Sequence, residues 1–123
     1  MSALIDMRSD FMDLQLQNRQ GQPRPRLPTD STERKNAPVF SGVLAYFPDA
    51  LIEIARLSKM GNDKHNPGQP LHWSREKSGD HADCIVRHQL EAGTLDTDGI
   101  LHDAKVAWRA LAQLQIALEK RRG

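Results

Sequence analysis

The chain has 123 residues, of which 38% are apolar, 5% aromatic and 27% charged, enough for one small domain with appended segments and too little for two cores. With 17 Lys+Arg against 16 Asp+Glu the net charge is +1, so bulk electrostatics point neither to a nucleic-acid polymer nor to an anionic membrane as partner. The one cysteine, Cys84, excludes an intrachain disulfide framework and any paired-thiol zinc or redox motif.

No apolar run reaches the roughly 18–20 residues of a membrane span. The first residues also lack the basic start and apolar block of a secretory signal, so a cytoplasmic location is expected. Residues 1–17 carry Leu4, Met7, Phe11 and Leu14 on one helical face, an amphipathic arm too short to be stable alone in water. The arm is expected to pack on its own domain or on a second chain. Residues 18–38 hold four of the seven prolines and little apolar material, the composition of an extended linker.

The domain is expected over 39–123. The apolar stretch Val39–Phe47 is too short to classify by periodicity. Pro48 then suits a first helical turn, and Ala50, Leu51, Ile54 and Leu57 make one stripe, predicting a helix over about 48–60 with Gly61 as its stop. Residues 61–77, rich in Gly, Pro and Asn, read as a long loop. A second helix is expected from Ser78 or Asp80 to Gly93, burying Ala82, Ile85, Val86 and Leu90. A third follows Asp96-Thr97-Asp98-Gly99, with Ile100, Ala104, Ala107, Leu111, Leu114 and Leu118 as its stripe and Trp108 in the core. The expected architecture is therefore an all-α bundle of about three core helices. Three short helices leave little core, so a homo-oligomer is expected.

Four of the five histidines fall within residues 65–88. His81 and His88 stand seven residues apart, about 10.5 Å along a helix, too far to share one ion. Cys84 with either is only half a site, so spacing specifies no metal. His102-Asp103 is similar to the adjacent pair of HD phosphohydrolases, but the downstream acid is reduced to Glu119. Asp96-x-Asp98-Gly99 is too short for an EF-hand and reads as a helix cap. Asp80, Asp83, Glu91 and Glu53 offer only a sparse substitute for the carboxylate run of a two-metal pyrophosphohydrolase. The polar rows suggest binding instead: His81, Cys84 and His88 share a face of the second helix, and His102, Lys105 and Arg109 one of the third. Lys64, His65, Trp73 and Arg75 would project from the loop over 61–77 into the groove between the two rows, with cations for phosphate and an indole for stacking.

From Phe47 onward, Gly61-x-x-Lys64-His65, His72-Trp73, Arg87-His88-Gln89-Leu90 and Asp96-Thr97-Asp98-Gly99-Ile100-Leu101-His102 appear in order before an Ala/Leu-rich helix with Trp108. This pattern over about 47–119 resembles the phage-associated family named for the N-terminal domain of dATP/dGTP diphosphohydrolases. The resemblance implies an all-α fold, purine nucleotide handling, and Lys64, His65, Trp73, Arg87, His88, Asp96 and His102 as site residues. His65 stands where that family commonly has tyrosine, residues 66–72 are expanded, and Lys105 replaces a second helix histidine, which weighs against hydrolysis. The expected ligand-binding set is thus Lys64, His65, Trp73, Arg75, Arg87, His88, Asp96, His102 and Lys105, with no catalytic residue assigned.

The expected function is binding of a phosphorylated purine nucleotide, with sequestration of a host nucleotide signal as its use in a phage. One alternative is a dNTP pyrophosphohydrolase, for which alone Mg²⁺ or Mn²⁺ would be the cofactor. The other is an inhibitor acting on a host protein through the N-terminal helix.

Overall fold

The computed structural model describes residues 25–77 and 79–122. The expected arm over 1–17 and the start of the linker lie outside them. Among the described residues the fold is all-α, with four helices and a lone antiparallel bridge between Leu95 and Leu101. These are α1 (Ser31–Lys35), α2 (Pro48–His65), α3 (His81–Leu90) and α4 (His102–Arg122).

The proline-rich segment is not extended throughout, because Asp30 caps α1 by accepting the Glu33 backbone N–H at 3.1 Å. Asp-x-x-Glu is an N-terminal helix signal that sufficed for this short turn. The apolar stretch after it forms a π-helical turn, Phe40–Leu44, closed by Ala45 N–H donating to the Phe40 carbonyl at 2.8 Å. Its side chains face outward, Phe40 remaining 73% exposed.

Pro48 opens α2 as expected, but Gly61 does not end it. Glycine in a helix interior costs only about 1 kcal/mol relative to alanine, and the helix runs four residues further, to His65. It stops at Asn66, whose N–H still donates to the Asn62 carbonyl at 2.7 Å, because Pro67 disfavours helical backbone at the residue before it. The connecting segment is correspondingly shorter at its start than expected.

That segment is strapped down at two points. Asn62, 4% exposed, donates through Nδ2 to the Gln69 carbonyl at 3.0 Å and accepts the His72 N–H at 3.2 Å. Further along, Arg75 lies over the Trp73 ring at 4.1 Å and forms a two-pronged ion pair with Glu119 of α4, one arm at 3.0 Å. Arg75, helped by Gln115, holds the Glu119 carboxyl down at about 2, against an ordinary value of 4.5. A depressed carboxylate stabilises the fold above its unfolded value and loses that contribution as pH falls toward its folded value. The wild-type advantage over Glu119→Gln in acid unfolding should accordingly be full above about pH 5 and gone near pH 2. A gap that stays constant across that range would contradict the ion pair.

Helix α4 is the common partner, packing on α3 and on α2. Its contact faces are not the ones the apolar stripes predict. On α3, His81 and Cys84 are buried and Ile85 and His88 half-buried, whereas Val86 and Leu90 are 59% and 82% exposed. On α4, His102, Ala104 and Ala112 are buried while Leu111, Leu114 and Leu118 face outward. Of the stripes expected on α3 and α4 only Ile100 and Ala104 are buried, with Ile85 and Ala107 half-buried; on α2 Leu51, Ile54 and Leu57 are half-buried as well. Trp108 is half-buried rather than a core residue. The physical reason lies in the connection. Gly93 and Gly99 adopt positive φ of 84°, Asp96 N–H donates to the Ile100 carbonyl at 2.8 Å, and His102 N–H donates to the Thr94 carbonyl at 3.0 Å. This tight turn fixes the rotation of α4 against α3, and the polar rows that meet satisfy one another except at His81 Nε2.

Candidate functional site

A cleft of about 560 Å³ opens between the C-terminal half of α2, the segment after it, and α4, a volume typical of small-molecule sites. Lys64 and His65 contribute from the last turn of α2 rather than from a loop. Gly61 also lines the cleft, and a Cβ there would meet nothing within 4 Å. Trp73 and Trp108 stand edge to face, ring centroids 5.9 Å apart at 81°, and Trp108 is oriented by its N–H donating to Ser58 Oγ at 2.7 Å. The Trp73 indole N–H is buried without a hydrogen-bond partner among the described residues. His88, Lys105 and Arg109 complete the far side.

Polar contacts between α3 and α4 form the floor beside this cleft. His88 and His102 face each other through their Nδ1 atoms at 2.8 Å. Lys105 bridges Asp96 and Asp98, reaching the latter at 2.7 Å. The Lys105 ammonium and the Thr97 N–H hold the Asp96 carboxyl at about 2. The carboxylates in turn keep Lys105 charged despite its burial. Burial, reinforced by the nearby His102 and Lys105, pushes His88 below the ordinary histidine value. At the other end of the interface Arg109 reaches His81 Nδ1 at 3.2 Å and Asp80 at 3.6 Å. Burial and the Arg109 charge lower His81, whose Nε2 is buried without a partner among the described residues.

Of the nine sequence-predicted residues, Lys64, His65, Trp73, His88 and Lys105 line the cleft, and Asp96 and His102 touch His88 or Lys105 from beneath. Arg75 and Arg87 do not line it. Arg75 is held by Glu119, and Arg87, on the exposed side of α3, contacts Asp80 at 3.5 Å and the Cys84 sulfur at 3.0 Å. The Cys84 thiol donates to Asp80 at 3.3 Å. Burial and that contact push the thiol up. The HD-like pair is split, because Asp103 accepts the Gly93 N–H at 2.7 Å while His102 faces His88. Asp96 and Asp98 do not cap α4 but accept the N–H groups of Thr97 and Ile100 within their own turn.

Four contributors were not among the predicted site residues, one of them Trp108, which was assigned to the core. Arg109 lies four residues after Lys105 and was legible as its helical neighbour. Asp98 was assigned only to a cap. Asn62 carried no signal, since its partners are backbone groups set by the path of the following segment.

Among the described residues no single helix is long and apolar enough to cross a membrane. Comparison of the chain with family models, curated proteins and solved structures gives no match in any of the three.

Proposed function

We propose that the chain binds a phosphorylated purine nucleotide in the cleft between α2 and α4 and withholds it from other proteins. The observation that carries this reading is the convergence of unlike groups on one 560 Å³ space: the cations Lys64 and Arg109, the imidazoles His65 and His88, and two indoles. Lys64 makes no ion pair among the described residues, so its charge is available to a phosphate. The unpartnered Trp73 N–H offers a donor to a ligand acceptor, and the indole planes suit a base. Asp96 beneath the cleft and Asp98 in its wall are both held by Lys105, so while that ammonium stays in place the site favours holding a phosphate chain over cutting it.

Calorimetric titration of the full chain with dNTPs and with linear and cyclic dinucleotides should give saturable binding to at least one of them. Lys64→Ala and Trp73→Ala should each weaken it about tenfold, equivalent to about 1.4 kcal/mol, and chromatography of the mixture should recover the nucleotide intact. Binding no tighter than about millimolar across the panel, or cleavage of the ligand, would defeat this reading. We further propose that the exposed Leu111, Leu114 and Leu118 row joins copies of the chain. The same samples should sediment as a species larger than 13.9 kDa, and a monomer would remove that part.

A further inference from the structure

We infer that His88, Asp96 and His102 form a binding site for a divalent transition-metal ion at the floor of the cleft. Each offers one ligand atom, and these atoms all lie within 4.8 Å of one another. The two imidazole Nδ1 atoms are 2.8 Å apart, and Asp96 Oδ2 is 4.0 Å from that of His102. Ligands sharing one ion at about 2.1 Å stand roughly 3 to 3.5 Å apart, so small side-chain shifts would close the set. Two imidazoles and one carboxylate favour borderline ions such as Zn²⁺ over Mg²⁺ or Ca²⁺, which prefer all-oxygen shells.

Two further features fit a metal better than a purely structural network. If both Nδ1 atoms ligate, each ring carries its hydrogen on Nε2, and His102 Nε2 already faces Glu91 Oε2 at 3.4 Å. A carboxylate behind a ligating histidine is the usual arrangement for fixing its tautomer and orientation. His88 lines the cleft, which gives the ion an entry path and leaves its remaining coordination positions toward the open space. The opposing group is Lys105, whose ammonium holds the Asp96 carboxylate. A cation arriving at Asp96 must displace or share it, so Lys105 sets the affinity of the site.

The inference rests on this geometry and stands apart from the nucleotide reading, so the probe is the metal alone. Full-length protein stripped with chelator is titrated with Zn²⁺ by calorimetry, with the fold of each variant checked by circular dichroism. One ion should bind per chain, His88→Gln and Asp96→Asn should each weaken it tenfold or more, and Lys105→Met should tighten it. The Lys105 arm separates the two cases: a network needing the ammonium only for structure would lose stability in that variant without gaining metal affinity. Co²⁺ should give visible absorption bands in the wild type that are altered or lost in His88→Gln. The site is overturned if wild type shows no saturable Zn²⁺ binding below about 1 mM. It is equally overturned if binding is indifferent to both ligand substitutions, or if Lys105→Met does not tighten it.

Discussion

Replacing Asn62 by alanine should lower the stability of the domain by about 2–3 kcal/mol, a loss built from two backbone groups and not from the side chain's own volume. The Asn62 amide is the partner of the Gln69 carbonyl and the His72 N–H at once. Its removal takes one hydrogen bond from each group in a part-buried setting, at roughly 1–3 kcal/mol per interaction lost. In a domain of this size about 2 kcal/mol corresponds to roughly 8–16 °C in Tm. Asn62→Asp sharpens the test, since a carboxylate can still accept from His72 but cannot donate to Gln69, and at neutral pH it places a charge where the side chain is buried. It should be the less stable variant at pH 7 and recover relative to alanine as the carboxyl protonates. Thermal melts that leave both variants within about 0.5 kcal/mol of wild type would show that the segment after α2 is not held by this residue.

The second large effect belongs to Trp108. It joins α4 to the cleft in three ways, through the edge-to-face contact with Trp73, the hydrogen bond to Ser58, and the Arg109 guanidinium 5.9 Å from its ring centre. Truncation of a fully buried tryptophan costs about 3–5 kcal/mol. Trp108 is only half-buried, so Trp108→Ala should cost about 2–4 kcal/mol. Trp108→Phe keeps an aromatic ring but cannot donate to Ser58, and should cost about 1 kcal/mol. Circular dichroism gives an independent readout, because two indoles this close couple their transitions. The coupled signal should vanish in Trp108→Phe although the fold survives, and its persistence would mean that the two rings are not in contact.

The three main helices were legible because their starts are chemical. Pro48 fixes the first turn of α2, and the Asp96–Gly99 turn precedes α4. Which helix faces would meet was not legible. An apolar stripe says which side of a helix avoids water, whereas the mating side of α3 and α4 is set by a connection with two glycines at positive φ. His81, Cys84 and His88 read as a polar row open to a ligand. In the fold they turn toward α4, and only His88 among them lines the cleft. The same rotation brings His88 against His102, fourteen residues later, an encounter no helical spacing could suggest. Arg75 and Glu119 are 44 residues apart, so an arginine expected to face a ligand is instead a strap. Lys64, His65, Trp73 and Lys105 were identified from residue type and motif order, which survive an error in helix orientation when the cleft lies at the helix ends.

The cleft's two tryptophans are the only ones in the chain, so they report directly on nucleotide binding there. Each gives one indole N–H signal in a ¹⁵N-correlated NMR spectrum, assignable with Trp108→Phe. Titration with dATP and dGTP, followed by the dinucleotides, should move both signals saturably with one shared affinity. The Trp73 signal should move further, because its N–H has no partner among the described residues, and Lys64→Ala should shift the whole titration to higher ligand concentration. Indole signals that stay fixed at millimolar concentrations of every nucleotide would contradict the assignment of this cleft.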